Sequence, residues 1–508
     1  QTFEISGTVA IQGNGLFINA GDGDDLIFVD STAVFANSNI SHTLNGGAGN
    51  DRLYLYGSGN APLFTIGIER LDVDAGAGGT RTISENGSFS VVNVLNGTLS
   101  ARRVQALGQA NSTVNISAGA VLDLFFTAPS AVNNSFSGTG TIIQNTIDPV
   151  TYGGSSSGFT GIFRNLSGAN ATIITSDAFG SGSIVNDGTL SFGGLNLANN
   201  ISGTGQVIVT GSGNSRLSGN NTFSGGLDIQ GGILDADSVN ALGIGFVTST
   251  TAGGILALGN SNDQTLSNNL TGNLALVKAG SGVLDLTGSN SYTGGTLING
   301  GAIRVDGFAR LGTGPVLSNA GGSLILNYNG AGQLLQTTSF MTGGGSFIKE
   351  GGGDVVLDAA NTFTGGTTIR AGRIGLNTGD ALGTGSIQVD SGTELGVGGI
   401  ILNNNLTGSG LVRKTASNVV EFYGDNSAFT GTIQIDAGQL YVTNGNSLGS
   451  GTLLVNGGTS VQLDAATTTT VAAGLSGAGD FEKIGAERAI LTGDGTAFSG
   501  SVSITSGT

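Results

Sequence analysis

The sequence predicts an all-β chain wound as a β-solenoid, with about three strands in each coil. Three observations carry this reading. The triplet aromatic–Ser/Thr–Gly recurs at Phe159, Phe223, Tyr292, Phe363, Phe429 and Phe498, with spacings of 64, 69, 71, 66 and 69. A Ser/Thr-Gly turn stands 20 or 21 positions ahead of each aromatic, at Gly138, Gly203, Gly272, Gly343, Gly408 and Gly477. A Leu/Phe-Gly-x-Gly turn follows at a like interval, at Gly180, Gly243, Gly312, Gly383 and Gly449. One unit is copied and stacked, and stacked repeats share a continuous core however long the chain grows.

Within a repeat the strands are short. Leu284 and Leu286 alternate with Val283, Asp285 and Thr287, and after the turn at Gly294-Gly295 come Thr296 and Ile298, then Ile303 and Val305. Alternation bounded by Gly, Asn and Ser reads as strands with one buried face, and no stretch shows the 3.6-residue stripe of a helix. A repeat of 65–71 residues divides into three coils of roughly 22–24, each climbing by one strand spacing of about 4.8 Å. About 22 coils then make a rod on the order of 100 Å long. The recurring aromatic is a stacked core ring or corner plug, since buried aromatics dominate core energetics. The alternative is a carbohydrate-binding strip, whose rings at every third coil stand roughly 14 Å apart.

Composition excludes several functions. Formal charge is −17, from 17 basic and 34 acidic residues, which argues against nucleic acid and against anionic lipid. There is no cysteine, so disulfides, thiol nucleophiles and thiolate metal sites drop out. No apolar run approaches the ~18 residues of a membrane-spanning helix.

Residues 1–135 read as divergent coils of the same helix, and 136–508 as the part built of 64–71-residue repeats, broken off in mid-repeat, so that the natural polypeptide is expected to continue. The first section holds two acidic turns, Ala20-Gly21-Asp22-Gly23-Asp24-Asp25 and Gly46-Gly47-Ala48-Gly49-Asn50-Asp51. These resemble the calcium-binding nonapeptide of RTX proteins, Gly-Gly-x-Gly-x-Asp-x-aliphatic-x. The resemblance implies calcium, with Asp22, Asp24, Asp25 and Asp51 as ligands, because calcium takes six to eight oxygens from carboxylates and turn carbonyls. The other reading is two solvated acidic turns. The sole histidine, His42, lies in an alternating stretch and reads as an exposed strand residue.

The phrase Gly280-Ser281-Gly282-Val283-Leu284-Asp285-Leu286-Thr287-Gly288-Ser289-Asn290-Ser291-Tyr292-Thr293-Gly294-Gly295-Thr296 resembles the autotransporter-associated β-strand repeat. Asn221-Thr222-Phe223-Ser224-Gly225-Gly226 and Asn361-Thr362-Phe363-Thr364-Gly365-Gly366 carry the same signature. That repeat belongs to passenger domains of Gram-negative type V secreted proteins. The resemblance implies a right-handed parallel β-helix at the extracellular face of the outer membrane, serving as adhesin, aggregation factor or rigid spacer. Its partners would be a host or bacterial cell surface, glycans, or like chains. No catalytic residues are assigned and the chain is read as a non-enzyme. Two rivals stay open. One is a self-assembling subunit of an extracellular filament or matrix. The other is a polysaccharide-active enzyme, which would need two carboxylates about 5–10 Å apart.

Overall fold

The computed structural model describes residues 1–5, 8–9, 16–30, 34–35 and 42–508, with the backbone alone at 8–9 and 34–35. These fall into two compact units, Gln1–Leu256 and Ala257–Thr508. Each is a β-solenoid of short parallel strands, and the helical elements among the described residues are five single 3-10 turns.

In the first unit, strands Thr113–Ile116, Val121–Leu124 and Ser130–Val132 make one coil. Ser135–Gly138, Thr141–Gln144 and Val150–Tyr152 make the next. Each strand lies parallel and in register on its equivalent, with Thr113 beside Ser135, Val121 beside Thr141 and Ser130 beside Val150. One coil thus takes 20 to 22 positions of chain here (141 − 121 = 20, 135 − 113 = 22). Three strands per coil is the architecture the period predicts. One ladder runs without a break from Thr2–Ile5 through Arg52–Tyr56 and Val91–Asn96 to Ser135–Gly138.

Alternation explains the core. Leu99, Leu122, Ile142, Phe163 and Ile184 stand beside one another on successive coils and are fully buried. The second unit stacks Leu284, Ile303, Leu324 and Phe347 in the same way. Each such side chain contributes at most about 1.5–3 kcal/mol.

The three landmarks of each repeat are one corner seen on three consecutive coils. Gly343 pairs with Phe363, and Thr384, just after Gly383, donates its N–H to the Phe363 carbonyl at 3.1 Å. The same arrangement holds for Gly408, Phe429 and Gly449. The rings of Phe159, Phe223, Tyr292, Phe363 and Phe429 are wholly buried, so they are corner plugs and not a carbohydrate platform. An asparagine staples several of these corners. Asn361 accepts the N–H of Phe340 at 2.7 Å from the preceding coil and donates to the Ala381 carbonyl, 2.7 Å away on the following one. Asn221 and Asn426 do the same.

Candidate functional site

The acidic turns of the first unit stack directly on each other. Gly23 donates its N–H to the Ala48 carbonyl at 2.7 Å, and Ala48 donates to Gly21 at 3.2 Å. The glycines are needed for this approach. A Cβ on Gly47, where φ is +98°, would collide with the Gly21 carbonyl oxygen. The carboxylates then form a ladder along the coils. Asp24 accepts the N–H of Asn50 at 2.8 Å, Asp51 accepts that of Asp25 at 2.8 Å, and Glu69 accepts that of Asp51 at 2.9 Å. The Gln1 nitrogen meets Asp25 in the same sense.

Asp22 and Asp24 are exposed, whereas Asp25 and Asp51 are 3% and 1% exposed. Each buried carboxylate keeps one oxygen, Oδ2, with no hydrogen-bond partner. Burial pushes the Asp51 carboxyl up, the Asp25 N–H pulls it down, and the charges of Glu69, Asp25 and Asp24 push it up again. Among the described residues no three Asp, Glu or His side chains converge as a complete metal centre. A cation here would rest on the two Oδ2 atoms and on turn carbonyls.

His42 is not exposed. It faces inward beside Leu44 at 2% exposure, and its Nδ1 accepts the N–H of Leu16 at 3.0 Å. The alternating stretch fixed a period of two but left open which parity points inward; Thr43 takes the outer position. Burial lowers the imidazole pKa.

The sequence also conceals a row of buried lysines. Lys278, Lys349, Lys414 and Lys483 end equivalent inward ladders, each fourteen or fifteen positions ahead of a landmark aromatic. Among the described residues no carboxylate pairs with these ammonium groups. Lys349 Nζ donates to the carbonyls of Glu350 at 2.7 Å, Gly351 at 2.6 Å and Ala371 at 3.3 Å. Lys414 binds Ala416 and Ala437 likewise, and Lys483 binds Gly485 and Ser506. Burial lowers the pKa of Lys278, Lys349 and Lys414, with Lys349 down to about 8. The fixed offset was the available signal. A lysine in an apolar strand reads as an outward residue until its register is known. In the first unit Gln144 and Val209 hold the corresponding place.

Outward positions carry polar ladders. Asp72 is fully buried beneath Arg52 and Arg70, and takes a hydrogen bond from Asn93, which in turn takes one from Asn115 at 2.7 Å. In the second unit Arg373 meets Glu394 at 2.7 Å and Arg413 meets Asp436 at 2.5 Å.

Against known families, the passenger-associated transport repeat matches four times, at residues 207–236, 276–305, 347–375 and 481–508. Three of these windows contain a buried lysine and its corner. These are the repeats of an autotransporter passenger domain. Among curated relatives, the passenger is 28% identical over 246 residues to the uncharacterized lipoprotein YdeK of Escherichia coli (strain K12), covering 43% of this chain and 18% of that protein. It is 32% identical over 148 residues to the adhesin BmaC autotransporter of Brucella suis biovar 1 (strain 1330), covering 24% of this chain and 4% of the relative. The passenger chain therefore spans less than a fifth of either relative's length. No solved structure matches it. Repeats and relatives together make it a secreted or surface-exposed bacterial protein.

Proposed function

We propose that this passenger solenoid acts as an adhesin and cell–cell aggregation factor at the outer-membrane surface of a Gram-negative bacterium, and as a rigid spacer there. One observation carries the reading. Inward positions are given over to packing, asparagine staples and lysine anchors, so recognition falls to outward positions and corner loops. Strand hydrogen bonds between successive coils keep those faces stiff. The likeness to an autotransporter named as an adhesin supports the same reading.

The test uses microspheres coated with the purified chain, counted on cultured cell layers, on bacterial lawns and against one another. Retention on cells, blocked by soluble chain, is the expected result. Clumping that rises with concentration, without retention, would move the function to self-assembly into a filament or matrix. Neither effect, together with release of sugar from a polysaccharide, would replace the adhesin with an enzyme.

A further inference from the structure

We infer that the corner carrying Arg102 and Arg103 binds an acidic polysaccharide, a sugar chain bearing carboxylate or sulfate groups. This rests on the adhesive reading above and names its ligand class. The first observation is where the positive charge sits. The chain has 17 Lys and Arg against 34 Asp and Glu. Four lysines and Arg81 turn inward onto carbonyl oxygens. Eight further arginines pair with carboxylates. Arg102, Arg103, Arg164 and Arg488 remain without a carboxylate partner among the described residues, and two of these four are adjacent.

The fold does not ask for that pair. Arg102-Arg103 leads into the corner turn Val104–Leu107. The other four corner turns are entered through Asp237-Ser238, Asp306-Gly307, Asn377-Thr378 and Thr443-Asn444. The guanidinium of Arg102 lies 4.3 Å from the ring centre of Phe125 on the next coil, a stack that holds it in place with its donors free.

Beside the arginines is an open pocket of 380 Å³, lined by Gln105, Phe126, Thr127 and Ser130 among others and by no carboxylate. A second pocket, of 450 Å³, continues from Phe126 and Thr127 past Asn145 and Ile147 to Leu166. Arg102, Phe125, Asn145 and Leu166 occupy successive coils at one corner. Three steps of about 4.8 Å make the groove about 14 Å long. A narrow trough with fixed cations at one end, amides, hydroxyls and apolar side chains along it, and one carboxylate, Asp148, in the second pocket suits an extended chain of hydroxylated rings whose anions seat at the arginine end. A folded acidic protein would need a broader surface, about 800 Å² on each partner.

The test measures binding of dextran sulfate, alginate and neutral dextran to the full chain at two salt concentrations. Wild-type chain is expected to bind one or both polyanions, more weakly at higher salt, and not neutral dextran. Arg102→Ser/Arg103→Ser is expected to lose binding tenfold or more, with an unchanged melting curve. Arg164→Ser/Arg488→Ser, which removes equal charge elsewhere, is expected to change it less than twofold. Equal loss in both double variants, no binding to either polyanion, or preference for an acidic protein such as casein would overturn the inference. Ile147→Trp, which obstructs the groove without touching charge, gives a second check and is expected to weaken binding. The two readings fail separately. Coated microspheres that adhere equally well with the arginines removed leave adhesion standing and this site refuted. Arginine-dependent binding without any adhesion does the reverse.

Discussion

Gly383 is seated on the carbonyl oxygen of Phe363, one coil earlier, so closely that a Cβ at Gly383 would collide with it. Its φ of +61° is also one that L side chains rarely adopt. Gly312 bears the same relation to Tyr292, and Gly243 to Phe223. The two landmarks repeat together because one is the floor of the other, and the corner turn Gly379–Leu382 can close only where that floor lacks a side chain.

Gly383→Val therefore meets both penalties, an unfavourable φ and an overlap with backbone. A loss of about 2–5 kcal/mol is expected. Repeat arrays need not unfold as one unit, so the measurement is hydrogen exchange, with protection falling first in the coils around 363–408. Unchanged protection there would contradict the corner geometry.

Asn361→Ala removes a staple across three coils. The N–H groups of Phe340 and Met341 and the Ala381 carbonyl lose their shared partner inside the core. About 2–4 kcal/mol is expected, since each stranded buried group costs about 1–3. Asn361→Asp keeps the acceptor and loses the donor, so it should fall between wild type and alanine in chemical denaturation.

The buried lysines give the second unit a pH dependence of definite sign. Lys349 titrates near 8 in the folded chain and at 10.5 as its ordinary value. Below 8 both states are charged and the burial penalty is present in full. Between 8 and 10.5 the unfolded chain binds the extra proton, so this lysine's contribution to stability rises with pH. Above about 10 the buried tyrosine Tyr292, held up at about 12, works the other way. Melting temperature is expected to climb from pH 8 to about 10 and then turn over. Lys349→Met should flatten the climb and lose about 1–3 kcal/mol at pH 7, because three carbonyls lose their donor. A variant more stable than wild type at pH 7 would show that relief of the buried charge outweighs them.

Calcium at the stacked acidic turns is our proposal for the two unpartnered oxygens of Asp25 and Asp51. Added calcium should raise the melting temperature of the N-terminal coils, and terbium luminescence should report the site directly. Asp51→Asn should abolish both effects while still accepting the Asp25 N–H. A calcium response that survives Asp51→Asn would place the ion elsewhere.

The sequence made the coil legible because packing writes itself into the chain three times per repeat, as glycine, aromatic and glycine spaced one coil apart. It missed an earlier copy of the corner. Phe89 is buried there and receives the N–H of Gln109, but Ser90 is followed by no glycine. Asp25 and Asp51 stand 26 positions apart (51 − 25 = 26), close to one coil of chain, and the acidic turns do stack. What the sequence could not supply was parity. His42, Asp25, Asp51 and the four lysines all point inward, and a period of two does not say which set of alternate residues does so. Nor does any local motif mark Arg102 and Arg103, whose standing depends on where every other positive charge goes.

The central claim is that residues one coil's length apart in sequence lie side by side on consecutive coils, so that the passenger's outer faces are built from such neighbours. The absence of cysteine allows a clean test. Thr368 and Gln388 are paired outward positions on neighbouring coils, within the Cα separation a disulfide spans. Thr368→Cys/Gln388→Cys should cross-link nearly completely on mild oxidation, while Thr368→Cys/Asp390→Cys, two positions out of register, should stay reduced. Efficient linkage of the second pair, or of neither, would contradict the coil assignment and the outer faces built upon it.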